Sequence, residues 1–178
     1  MANNFFTAVP ENEDSVAAGN KYLYIGRDSS LGANVTDFTI DASGWYGTWD
    51  TSILASAEFV KVTPKSETLK AVATLIADDP NGAVAYDHSV TFQLNKRDIL
   101  KHNLLQLAGR ARVKIVVVDM QGNGRVYGPD NGLKLQAGSS DSGDKYGASH
   151  NGYTFEFKGN NVNPDILLLP AQLTSIGG

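Results

Sequence analysis

The chain has 178 residues, 42% hydrophobic and 19% charged, which suffices for one good core and fits neither a disordered nor a membrane-spanning composition. A net charge of −4 argues against gripping nucleic acid through counterion release, and zero cysteines exclude disulfides, thiolate metal sites and cysteine nucleophiles. Eighteen glycines spread without a fixed period imply many tight turns, and so favour short strands over long helices.

The first twenty residues, ending AVPENEDSVAAGN, are acidic and polar with only Phe5 and Phe6 to bury. They read as an N-terminal arm (1–20) whose order depends on a neighbour, followed by a single domain over 21–178. No basic n-region precedes an apolar h-region, and no run approaches the roughly 18 apolar residues of a spanning helix, so neither export by a signal nor a membrane partner is expected. KYLYIG is the first predicted strand, VTDFTI at 35–40 the second, and WYGTWD follows at 45–50. From Ser56 to Ile76 the Val, Thr and Phe content predicts strands broken at Pro64, although Glu67 to Ala77 also fits a short helix.

The clearest periodicity is AVAYDHSVTFQLN. Val84, Tyr86, Val90, Phe92 and Leu94 share one face, and Ala85, Asp87, Ser89, Thr91 and Gln93 share the other, which predicts one dry side and one wet side. A helix is expected over about 96–108, with Asn95 as cap, Asp98 in its first turn, Leu100, Leu104, Leu107 and Ala108 on the buried face, and Gly109 as the stop. ARVKIVVVD has a continuous apolar centre, as expected of a strand buried on both faces, and QGNG joins it to RVYG through an Asn-Gly turn. LKLQA, YTFEFKG and DILLLP are the last strands. Eight to ten short strands and one helix predict a mainly β chain, a sandwich or barrel of short antiparallel strands flanked by that helix.

No catalytic constellation is visible, and no enzyme activity is expected. His88, His102 and His150 have no second histidine or carboxylate at metal-ligand spacing, so no metal or other cofactor is expected; His88 falls on an apolar strand face, as a hydrogen-bonded core histidine would. No G-x-S-x-G elbow supports a triad. Gly122, Gly124 and Gly128 have the wrong spacing for a phosphate loop and precede a strand, and DSGD at 141–144 lacks the twelve-residue calcium pattern. In GWYGTWD the residues Trp45, Tyr46 and Trp49 suit a subunit contact or core, the alternative being a carbohydrate-binding module that stacks them on sugar rings. Of the fifteen residues from Gly138 to Gly152, eleven are Gly, Ser, Asp or Asn, which reads as a long polar loop; Tyr146 and His150 are its candidate anchors against a partner.

From Lys96 onward the features follow a specific order: KRDILKHNLLQLAGR, ARVKIVVVD, MQGNGRVYG, then SGDKYGASHNGYTFEFKG. This order resembles that of tail-tube-like virion proteins from phages and prophages of Bacteroidetes bacteria, in which a helix, a hydrophobic strand, a turn and a closing N-G-Y-x-F-x-F-x-G strand recur. The resemblance covers about the last 80 residues, with NGYTFEFKG as its most specific motif, and reaches the first 95 only through general strand content. It implies a β-sandwich flanked by one helix and a non-enzymatic structural subunit of the virion tail, assembled in the host bacterial cytoplasm. It further implies stacked rings, usually hexameric, around a channel through which DNA passes as cargo. The implied partners are further copies of the chain and other tail or neck proteins, and neck, tail-hub and tail-terminator rings of the same fold are alternatives. Within such a ring Asp87, Ser89, Thr91 and Gln93 would face the lumen.

Overall fold

The structure, a computed structural model, describes residues 19–27, 39–41, 46–48, 59–78, 83–144 and 150–176. Most of the expected N-terminal arm, together with Trp45, Trp49 and Tyr146, lies outside these residues.

The fold is mainly β, with two antiparallel-rich sheets in a sandwich-like arrangement and no closed barrel among the described residues. The elements in chain order are β1 (Asn20–Arg27), β2 (Thr39–Ile40), β3 (Tyr46–Thr48), β4 (Phe59–Val62), β5 (Lys70–Asp78), β6 (Ala83–Asn95), α1 (Ile99–Ala108), β7 (Val113–Asp119), β8 (Gly124–Tyr127), β9 (Lys134–Asp141), β10 (Gly152–Asn161), β11 (Ile166–Leu168) and α2 (Pro170–Ile176). One sheet has the order β2-β3-β11-β8-β7-β1-β4, and the other β5-β6-β10-β9. All neighbours are antiparallel except β11 and β3.

The period-two reading of β6 holds from His88 to Leu94, whereas Val84, expected on the dry side, is 56% exposed because β10 ends opposite Tyr86 and leaves only β5 beside it. Val90, Phe92 and Leu94 are buried, His88 joins them, and Asp87, Ser89, Thr91 and Gln93 are half-exposed on the opposite face. From β10, Tyr153, Phe155 and Phe157 enter the same core, where Phe92, Phe155 and Phe157 stack within 13° or 15° of parallel, Phe92 against Phe155 at 5.0 Å. Leu23, Ile25, Val113, Ile115 and Val117 close the core from the larger sheet. The odd-numbered residues of β7 fill this interior, while Val116 and Val118 pack on the other side of the sheet with Tyr24, Leu168, Leu173 and Ile176. Burial on both faces is why the centre of ARVKIVVVD, Ile115 to Val118, is apolar without a break. It also takes in Lys114, which is fully buried and donates from Nζ to the Pro129 carbonyl.

Four expectations are corrected. The helix starts at Ile99, capped by Asp98, whose Oδ1 accepts the Lys101 N–H at 3.0 Å; Asn95 instead ends β6. The helix packs through Leu104, Leu105 and Ala108, leaving Leu100 77% and Leu107 62% exposed, because Ala108 and Leu105 follow the side turned toward β9 rather than the i, i+4, i+7 leucine stripe. A second helix, α2, follows β11; its Leu173 and Ile176 cover the outer side of the larger sheet. At the β7–β8 turn the left-handed residue is Gly122 (φ +90°), with Asp119 Oδ1 accepting from the Gln121 and Asn123 amides, so Gly124 already belongs to β8 and the expected Asn-Gly turn is not formed.

The polar stretch from Gly138 is also partly strand. Gly138 to Asp141 complete β9 and pair with Phe155 to Gly152. Gly138 sits under α1, where a Cβ would come 2.5 Å from Leu105 Cδ1, so a side chain here would displace the end of Leu105 from its place against β9.

Candidate functional site

The surface that the fold organises in a single register is the outer face of the β5-β6-β10-β9 sheet. Side chains alternate across a strand, so a register fixes which residues share a face. Gln93 pairs with Thr154, Thr91 with Glu156, Ser89 with Lys158 and Asp87 with Asn160. On the β5 side Thr91 meets Lys70, Ser89 meets Val72 and Asp87 meets Thr74. On the β9 side Thr154 meets Ser139, Glu156 meets Ala137 and Lys158 meets Lys134. The face is therefore polar along β6 from Asp87 to Gln93 and along β10, with Val72 and Ile76 of β5 and Ala137 of β9 as its apolar members, and no described helix or strand packs over it.

The charges of its described side chains cancel. Lys70, Lys134 and Lys158 stand against Asp87, Glu156 and Asp141. Lys158 Nζ lies 2.7 Å from Glu156 Oε1, a contact that raises the lysine pKa.

At one end the face opens into a groove of about 650 Å³ lined by Asp87, Arg112, Asn131, Lys134, Lys158 and Asn160 among others. Two interlocked loops shape its rim. Asp130 Oδ2 accepts the Val162 and Asn163 amides at 3.1 and 3.0 Å, and Asn161 Oδ1 accepts the Asp130 and Asn131 amides at 3.2 and 3.0 Å. Arg112 Nη1 donates to the Asn131 carbonyl at 2.6 Å. Sequence reading missed this groove because its cations come from β9, β10 and the residue before β7, with no shared local motif. Only the outward phase of Lys158 in β10 was there to be read.

Asp87, Ser89, Thr91 and Gln93 are together on the outer face, as their spacing required. Tyr46 lies on the other sheet, 41% exposed, with its backbone bonded to Asp41 in both directions, so this residue and the polar face are on separate sheets. Trp45, Trp49 and Tyr146 are outside the described residues. His150 is half-buried, and its two ring nitrogens have no hydrogen-bond partner among the described residues.

His88 is a core residue. Its Nδ1 accepts the Gly128 N–H, its Nε2 lies 3.0 Å from the Asn163 carbonyl, and burial lowers its pKa. No group of three His, Asp or Glu side chains among the described residues is placed to hold a metal, and no described helix is long and apolar enough to cross a membrane. Comparison with known proteins finds no matching family model, and no significant match among curated proteins or solved structures. The surface chemistry therefore has to carry the functional reading.

Proposed function

We propose that the chain is a structural subunit of a bacteriophage tail, a tail-tube protein whose copies close into stacked rings with the outer face of β6 and β10 as the channel wall. The observation that carries this reading is a four-stranded sheet whose outer face is polar along β6 and β10, with three lysines against three carboxylates among the described side chains, and no described strand paired beyond β5 or beyond β9. A wall of this kind suits passing DNA. Bound duplex is held mainly by phosphate contacts that release counterions, and a surface whose cations are matched by carboxylates offers few of them. An unpaired sheet edge is a template for another chain, and a sheet open at both edges can be extended on both sides, which closes a ring when the rotation between copies allows. The resemblance of NGYTFEFKG to the closing strand of tail-tube-like proteins agrees with this use of β10.

In this reading the partners are further copies of the chain and adjoining tail or neck proteins, DNA is cargo, and the site of action is the virion tail. Negative-stain electron microscopy of the purified protein tests it, together with a glycan-binding screen and mass spectrometry of virions. Rings or tubes with a central channel are expected. A monodisperse monomer that binds glycans would sink the proposal in favour of a carbohydrate-binding module.

A further inference from the structure

Among the described residues the four-stranded sheet has two unpaired edges, and they are complementary. β5 reads KAVATLIAD and β9 reads KLQAGSSD, so each begins with lysine and ends with aspartate. Since β5, β6, β10 and β9 alternate in direction, β5 and β9 run oppositely, and rotation about a ring axis preserves each strand's direction. β5 of one copy must then meet β9 of the next in antiparallel sense. Antiparallel strands of this composition bring the lysine end of one to the aspartate end of the other.

We infer that β5 of one copy pairs with β9 of the next in a single register that sets Lys70 opposite Asp141. This rests on the ring reading above and specifies its contact. The register satisfies three independent conditions. First, the faces agree. Lys70, paired with Thr91, and Asp141, paired with Gly152 opposite Asn95, both belong to the outer face, as do Val72 and Ser139. An ion pair directly across two strands is favourable, and a slip of one residue would send the two charges to opposite faces. Lys70 has no ion-pair partner among the described residues, while Asp141 Oδ1 already accepts the Gly143 amide and is thereby oriented.

Second, the core side agrees. Ala73 falls opposite Gly138, and past the β9 irregularity between Leu135 and Ala137, Leu75 comes opposite Leu135. Leu75 is 56% exposed in the single chain, and Leu135 packs against the core, so the register covers an apolar side chain that the fold leaves bare. β9 can accept a strand only up to Lys134, because Leu133 already bridges Val113.

Third, the stagger fits a barrel. Lys70 is level with Thr91 and Asp141 with Asn95, so the register needs an offset of four residues over four strands. Closed barrels require such a shear, and one residue per strand is the ratio in eight-stranded barrels of shear 8, whose strands tilt about 36°.

The chain contains no cysteine, which makes a pairwise cross-link decisive. Residues directly opposite on paired strands have Cα atoms about 4.5–5.5 Å apart, within disulfide reach. In V72C/S139C, mild oxidation should produce a ladder of covalent multimers on a non-reducing gel, whereas V72C/A137C, shifted by two residues, should give little. A ladder from the second variant alone, or from neither, overturns the register. Rings seen without the V72C/S139C ladder leave the tube reading standing, and the ladder without rings leaves the pairing but sinks the tube. Charge reversal gives a second readout: K70E and D141K should each abolish multimers while leaving the melting temperature within a few degrees, and K70E/D141K in one chain should restore them. Failure of the double variant to recover would also count against the register.

Discussion

His88 Nδ1 accepts the Gly128 backbone N–H at 3.1 Å, and this bond spans the sandwich from β6 in one sheet to the end of β8 in the other. An atom that accepts an N–H carries no proton, so the ring proton sits on Nε2 and is donated to the Asn163 carbonyl at 3.0 Å. The neutral ring therefore ties β6 both to the turn after β8 and to the loop after β10. Protonation would place an N–H against the Gly128 N–H and break the first tie.

The pH dependence follows with a definite sign. Burial is the largest influence on His88 and lowers its pKa below the ordinary 6.5, outweighing the Asn163 bond and the charges of Asp165, Asp130 and Asp87 that act the other way. The unfolded chain then binds a proton that the folded chain refuses, so the stabilisation is complete above about pH 6.5 and is lost as the pH falls toward the folded-state pKa. Thermal unfolding from pH 7.5 to 4.5 should show this decline in the wild type and a flatter one in His88→Gln. Equal slopes in the two proteins would exclude His88 as the titrating group.

Phe155 is fully buried between Phe92 and Phe157, with ring centroids 5.0 and 6.2 Å away. Phe155→Ala should cost about 3–5 kcal/mol in chemical denaturation. Its neighbour Glu156 lies on the outer face in an exposed pair with Lys158, so Glu156→Ala should change stability by less than about 1 kcal/mol. Similar losses from both substitutions would mean that the two faces of β10 are assigned the wrong way round.

On α1, Leu104 packs against the core whereas Leu100 is 77% exposed. Leu104→Ala should destabilise by about 2–3 kcal/mol and Leu100→Ala by no more than about 0.5 kcal/mol in the isolated chain. Guanidinium unfolding of both variants checks the helix face.

The strands were legible where one residue's position fixes its neighbours' environment. In β6 and β10 strict alternation separates Phe92 and Phe155 from Thr91 and Glu156, and period two needs no tertiary information. The helix face was not legible in the same way. Leu100, Leu104 and Leu107 make a good stripe in sequence, but the packing partner is β9, and Gly138 opens the space that Leu105 enters. The lumen candidates Asp87, Ser89, Thr91 and Gln93 were readable from their phase alone, whereas Lys134 and Arg112 join them only through the pairing of β9 with β10 and the bridge from Leu133 to Val113. The Asp130–Asn163 lock likewise depends on loops 33 residues apart in sequence.

The balanced charge of the outer face leads to a prediction about DNA. With three lysines and three carboxylates among the described side chains of the face, duplex DNA should show negligible affinity at physiological salt in either the free or the assembled protein. Submicromolar binding of the wild type under those conditions, measured by fluorescence anisotropy, would remove the slippery-wall reading. Asp87→Lys together with Glu156→Lys makes the face strongly cationic, a change of +4 per chain from positions that are half-exposed and outside the core. Folding should survive, because neither side chain is buried. Binding should then appear and weaken steeply with added salt, since each neutralised phosphate releases counterions. It should also be much stronger in assembled rings than in single subunits, because only a closed wall presents the altered faces of several copies to one duplex. Equal binding by rings and single subunits would place the face on the outside of the assembly, away from any channel.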